Sequence, residues 1–109
     1  KKVVIGKEET AGSLHDKLMH EGAGLVLETL SLIKNDKVIP RQQEESKKLK
    51  EAPKLTRENT QINWNAPIDE IYNLIRGLNP YPGAWTNLEN GNDVLHLKLK
   101  NWKKPTTWI

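Results

Sequence analysis

The sequence predicts an α+β chain in which a short terminal strand and a long helix precede an extended linker, and a second helix then leads into the strands of an incomplete sheet. Three observations carry this prediction. Apolar residues recur at three- and four-residue steps between Leu14 and Ile33, few apolar residues interrupt the polar, Lys-rich stretch 40–60, and strict alternation runs from Val94 to Trp102.

Val3, Val4 and Ile5 form a run of β-branched residues that reads as the end of a strand, and Gly6 breaks it. The helix that follows has Thr10 as its N-cap, or Ser13 in a capping box with Asp16, while Glu8 and Glu9 suit the positive end of the helix dipole. Leu14, Leu18, Gly22, Leu25, Val26, Thr29, Leu30 and Ile33 fall on one face, which should pack on a sheet. Gly22 and Gly24 each cost roughly 1 kcal/mol of helix propensity relative to Ala, so their presence predicts close backbone approach to a neighbour. Asn35-Asp36 supplies the stop.

The stretch 40–60 cannot bury enough surface to order itself as a core and reads as an extended linker. Residues 61–64 form a short extended segment, and Asn65 is the expected N-cap of a second helix with Pro67 in its first turn. Ile68, Ile71, Tyr72, Leu74, Ile75 and Leu78 supply its apolar face, and Gly77 with Asn79-Pro80 ends it. A turn over 79–86 then enters a strand, and Glu89-Asn90-Gly91-Asn92 is read as a loop. In the final strand Leu95, Leu97 and Leu99 point to a core, and His96, Lys98 and Lys100 point the other way. Two strands close neither a sheet nor a barrel, so this second unit is expected to be incomplete.

With 109 residues the chain can hold one core of ordinary size or parts of two. No apolar stretch reaches the roughly 20 residues of a membrane span, and the lack of cysteine excludes disulfides and thiolate metal sites. No export segment is visible near Lys1, so a processed piece of a cytoplasmic protein is expected. The net charge is only +3, but it is unevenly distributed. Cations and anions cancel over 1–40, whereas Lys47, Lys48, Lys50, Lys54 and Arg57 face a lone Glu51, and Lys98, Lys100, Lys103 and Lys104 have no acid near them in sequence. Asp69, Glu70, Glu89 and Asp93 lie between the two basic stretches. Such segregation suits a polyanion-binding surface.

Two stretches carry a family likeness. Thr10-Ala11-Gly12-Ser13-Leu14-His15-Asp16-Lys17-Leu18, continued by Gly22 to Leu30, resembles the last helix of the formyltransferase catalytic domain. Ala52-Pro53-Lys54-Leu55-Thr56, then Ile62-Asn63-Trp64, then the run from Ile71 to Thr86 with its Asn79-Pro80-Tyr81-Pro82-Gly83-Ala84-Trp85-Thr86, resembles the linker and opening of the C-terminal domain in methionyl-tRNA formyltransferases. The resemblance implies a division into 1–39, the end of a Rossmann-like catalytic domain; 40–60, a basic linker; and 61–109, the start of an OB-like β-barrel. It also implies a parent enzyme of translation initiation that moves a formyl group from 10-formyltetrahydrofolate to initiator methionyl-tRNA. The family's catalytic Asn, Asp and His, the last in a His-x-Ser-Leu-Leu-Pro context, have no counterpart here. The chain is therefore expected to bind no cofactor, to need the rest of the catalytic domain and to be inactive alone. Two rivals are a sugar-nucleotide formyltransferase of the same architecture and a non-catalytic basic module.

Under this resemblance Lys47, Lys48, Lys50, Lys54 and Arg57 either track tRNA phosphates or form a solvated tether. Lys98, Lys100, Lys103 and Lys104, with Trp102 and Trp108 nearby, form either a cationic stacking face or an ordinary solvent face. Arg76 either binds phosphate or pairs with Asp69 or a helix-end carbonyl, and Trp64 and Trp85 either stack on nucleotides or anchor packing. His15, His20 and His96 lack metal-ligand spacing, and Ser13 reads as a cap.

Overall fold

The computed structural model describes residues 1–43, 45 and 49–103. It is a mixed α+β chain with the order α1 (Ala11–Lys34), α2 (Ile68–Gly77), β1 (Ala84–Asn90) and β2 (Asp93–Leu99). Two compact units emerge, one from Lys1–His15 together with the chain from Leu55 onward, the other from Asp16–Lys54.

In the first unit the expected strand at Val3 to Ile5 is absent. Residues 1–6 have no regular structure, and Val4 and Ile5 are exposed, because no neighbouring strand among the described residues supplies ladder bonds. A turn takes over: Gly6 N–H donates to Glu9 Oε2 at 2.9 Å, and Glu9 N–H donates to Gly6 O at 3.2 Å. Helix α1 then starts on a reciprocal box. Ser13 N–H donates to Thr10 Oγ1 at 3.2 Å and Thr10 N–H donates to Ser13 Oγ at 3.0 Å, so Ser13 fills the third helical position opposite the Thr10 cap.

Helix α2 starts two residues later than the sequence suggests. Pro67 occupies the N-cap with φ −54° and ψ 145°, and Asn65 instead belongs to the preceding turn, donating its N–H to Asn63 Oδ1 at 3.0 Å. A proline is pre-set for this place because its φ is fixed and its missing N–H would be unpaired there anyway. Ile71 and Ile75 turn inward, Leu78 closes the helix, and Ile62 and Ala84 complete a small buried core flanked by Ala66, Leu74, Leu99 and Trp102. Residues 79–83 contain cis bonds at Asn79-Pro80 and Tyr81-Pro82, and Gly83 N–H returns to Leu78 O at 2.9 Å.

The chain then forms a hairpin rather than two strands parted by a longer loop. Glu89 and Asn90 continue β1, and only Gly91 and Asn92 make the turn, with Gly91 at φ 62° where a two-residue hairpin favours positive φ. Ala84 pairs with Leu99, Thr86 with Leu97 and Leu88 with Leu95, which puts these six on one face. The core covers that face only at its base: Ala84 is fully buried, whereas Leu88, Leu95 and Leu97 are exposed. The expectation of a fully buried Leu face therefore fails beyond Leu99. A parallel bridge from Gln61 to Trp85 adds a stub of a third strand.

In the second unit the apolar face of α1 finds no sheet among the described residues. Leu18, Leu25, Leu30 and Ile33 are all exposed, and a Cβ placed on Gly22 or Gly24 would meet nothing within 4 Å. The close approach expected there is absent; it occurs at Gly12, in the first unit, where a Cβ would lie 2.7 Å from Pro80 Cδ. The C-terminus of α1 is closed by a Schellman motif, with Lys37 N–H on Leu32 O at 2.9 Å, Asp36 N–H on Ile33 O at 3.1 Å and Asp36 at φ 53°.

Candidate functional site

The first unit carries a groove of about 770 Å³ between the 55–60 turn and the hairpin, walled by Leu55 and Pro82 and bearing Arg57, Trp85, His96 and Lys98. Its geometry starts from the turn. Thr56 N–H donates to Asn59 Oδ1 at 2.7 Å and Asn59 N–H donates to Thr56 Oγ1 at 3.3 Å, a box that needs only a Thr and an Asn three residues apart. Thr60 is buried, and its hydroxyl satisfies itself on Thr56 O at 2.8 Å and Arg57 O at 3.2 Å. Trp85 N–H donates to Thr60 O at 3.1 Å and Ile62 N–H donates to Trp85 O at 2.8 Å, so the turn is stitched to the edge of β1.

This stitching positions Arg57. Its carbonyl accepts the Trp85 indole N–H at 2.8 Å, and its guanidinium lies 4.9 Å from the Trp85 ring centroid. Across the hairpin Lys98 is the register partner of Trp85, and His96 meets the indole edge-on with centroids 6.2 Å apart. Lys98 Nζ donates to Pro82 O at 3.2 Å, which holds the ammonium at the rim. The Glu58 carboxyl is held below its usual range by its own backbone N–H and the Thr56 hydroxyl; desolvation opposes them, and the neighbouring Arg57 charge adds the least.

Of the basic residues read from the sequence, Arg57 and Lys98 are brought together. Lys100 and Lys103 are not part of that groove: β2 ends at Leu99, and both line a separate recess with Glu8, Tyr72, Arg76 and Trp102. The cationic strand face is thus shorter than the alternation suggests. Lys50 and Lys54 belong to the second unit, and Lys47, Lys48, Lys104 and Trp108 lie outside the described residues. Trp102 turns inward onto the core, 6.1 Å from the Tyr72 ring, rather than presenting a stacking surface.

Arg76 is held by partners that the sequence did not single out. Its Nη1 donates to Glu9 O at 2.9 Å and Gly6 O at 3.2 Å, and its Nε donates to Asn73 Oδ1 at 2.8 Å. With Gly12 N–H on Asn79 O at 3.0 Å, it straps residues 6–12 onto the end of α2. Trp64 is exposed and hangs from Thr86 Oγ1 by its indole N–H at 2.9 Å, on the face of β1 away from Trp85. Sequence reading left His96 and Trp85 out of the basic site. The detectable signal was the register: a two-residue turn at Gly91-Asn92 puts Trp85 opposite Lys98. Among the described residues no three His, Asp or Glu side chains are grouped to hold a metal, and no helix is long and apolar enough to cross a membrane.

Residues 54–107, about half of the chain, match the family model of the formyl transferase C-terminal domain. This match makes the second half of the chain a formyl transferase C-terminal domain. The chain is 46% identical over 97 residues to the methionyl-tRNA formyltransferase of Flavobacterium johnsoniae, covering 89% of this chain and 31% of that protein. It is 44% identical over 90 residues to that of Bacteroides thetaiotaomicron, covering 80% and 28%, and 39% identical over 99 residues to that of Mesorhizobium japonicum, covering 90% and 31%. The chain belongs to the methionyl-tRNA formyltransferase family. It spans about a third of the length of the curated relatives it matches.

Proposed function

We propose that this chain is the tRNA-holding portion of an enzyme that formylates methionyl-tRNA in the cytoplasm for translation initiation. In this reading residues 1–39 complete a Rossmann-like catalytic domain, 40–60 form a basic linker and 61–109 begin an OB-like barrel. Likeness over most of the chain to proteins named methionyl-tRNA formyltransferase is the observation that carries it. Segregated charge supports the tRNA part, because cations clustered at Lys47, Lys48, Lys50, Lys54 and Arg57 and again at Lys98, Lys100, Lys103 and Lys104 can neutralise phosphates without reading bases.

The donor, 10-formyltetrahydrofolate, supplies the formyl group in this reading, and no residue of the chain is assigned to it. This reading assigns the chain binding and orientation of the tRNA.

The test is tRNA affinity against salt. Binding should fall with a log–log slope of about 0.7–0.9 per phosphate contact, and changing Lys47, Lys48, Lys50 and Lys54 together to Gln should flatten the slope and weaken all tRNAs alike. A four-Gln variant with unaltered affinity and slope would reduce the linker charges to a solvated tether.

A further inference from the structure

We infer that the groove between Arg57 and β2 is a seat for one unpaired nucleotide of an RNA, its base stacked on the Arg57 guanidinium and its phosphate held by Lys98 and His96. The inference rests on the RNA-binding reading above and adds to it a distinction between paired and unpaired strands. Phosphate tracking needs only charge, and charge is what the linker sequence offers. This groove is built differently. The Arg57 backbone is fixed by the Thr56–Asn59 box, by Thr60 and by the indole N–H of Trp85, so the guanidinium is presented over a ring that is itself tethered.

A guanidinium backed by an indole is a planar, weakly hydrated cation with one side already desolvated, and the exposed side of Arg57 is where a flat heteroaromatic gains most by stacking. The walls supplied by Leu55 and Pro82 suit a base better than a phosphate, and the volume of about 770 Å³ falls in the range of small-ligand sites. Charge is placed to match. The Lys98 ammonium sits at the rim on Pro82 O, and His96 lies on the same hairpin face as Trp85 two residues along β2. Every base has a flat face and every nucleotide a phosphate, so the seat tolerates sequence but demands an unstacked base. A base inside a duplex cannot enter it without leaving its stack.

The experiment uses the 109-residue chain and three probes: a single-stranded hexamer of adenylate, a fully paired RNA duplex of equal length, and inorganic phosphate. The hexamer should shift the Trp85 indole N–H and His96 ring resonances, while the duplex should bind without moving them. Arg57→Lys keeps the charge and removes the planar cation, so it should weaken the hexamer by about fivefold or more relative to any effect on the duplex. The resonance shifts on the unsubstituted chain stand as evidence even if that variant folds poorly. If hexamer and duplex bind alike and move the same resonances, or phosphate alone reproduces the shifts, the seat is refuted and the phosphate-tracking reading survives. If neither RNA binds, both readings fall.

Discussion

Gly12 and Gly22 lie in the same helix and differ in what stands opposite them. A Cβ at Gly12 would lie 2.7 Å from Pro80 Cδ, and a proline ring cannot rotate aside, whereas a Cβ at Gly22 would meet nothing within 4 Å. Gly12→Ala should therefore destabilise the first unit by about 1–3 kcal/mol in urea unfolding. Gly22→Ala should stabilise α1 by up to about 1 kcal/mol. Propensity singled out Gly22 because a mid-helix glycine is visibly costly; Gly12 escaped notice because glycine beside a cap costs little and its neighbour is far away in sequence. Glu58 gives a pH-dependent counterpart. Its folded carboxyl is held below the usual range, so its contribution is present at neutral pH and is lost as the pH falls through that lowered value. Glu58→Gln should be less stable than the parent at neutral pH and equal to it in acid. A gap that persists in strong acid would show that the anion is not what matters.

At the scale of elements, the ends of α1 were more legible than its surroundings. Thr10 was readable as a cap and Asn35-Asp36 as a stop because both act through neighbours in the chain. Asp36 nevertheless sits at φ 53°, a conformation that costs a side-chain-bearing residue about 1 kcal/mol, so Asp36→Gly should raise the thermal midpoint of the helix signal in far-UV circular dichroism. The hairpin shows where reading stopped. Alternation correctly assigned Leu95, Leu97 and Leu99 to one face, yet how far that face is covered depends on α2, whose ten residues reach Ala84 and Leu99 at the hairpin base. Periodicity reports orientation and says nothing about the length of the partner. For Arg76 the same limit applied, since two of its acceptors are the backbone carbonyls of Gly6 and Glu9, which no side-chain pattern reveals. Arg76→Gln should speed hydrogen exchange in residues 6–12 and cost about 1.5–3 kcal/mol, the worth of a charged hydrogen-bond donor.

For the whole molecule, family likeness was readable from the run between Ile71 and Thr86, and the candidate groove was not. Its members Arg57, Trp85, His96 and Lys98 come from a turn and two strands, and they meet only because the 55–60 turn is stitched to β1. The chain alone is expected to show no formyl transfer from 10-formyltetrahydrofolate to methionyl-tRNA. Turnover by the pure chain would place catalytic groups within it and overturn the binding role proposed for it.

The strap of residues 6–12 on the end of α2 also governs how the chain between can vary. Its hydrogen bonds join Gly12 to Asn79 and Arg76 to Gly6, so both ends of the 16–54 segment are moored on one folded unit. Closing such a loop costs entropy that grows only with the logarithm of its length, and a twofold lengthening costs about 0.6 kcal/mol. Insertions in the polar stretch near residue 45 should therefore leave the unfolding midpoint of the first unit almost unchanged. A single proteolytic nick there should yield two peptides that still co-elute under native conditions and separate only in denaturant, the behaviour of a split protein whose halves recognise each other.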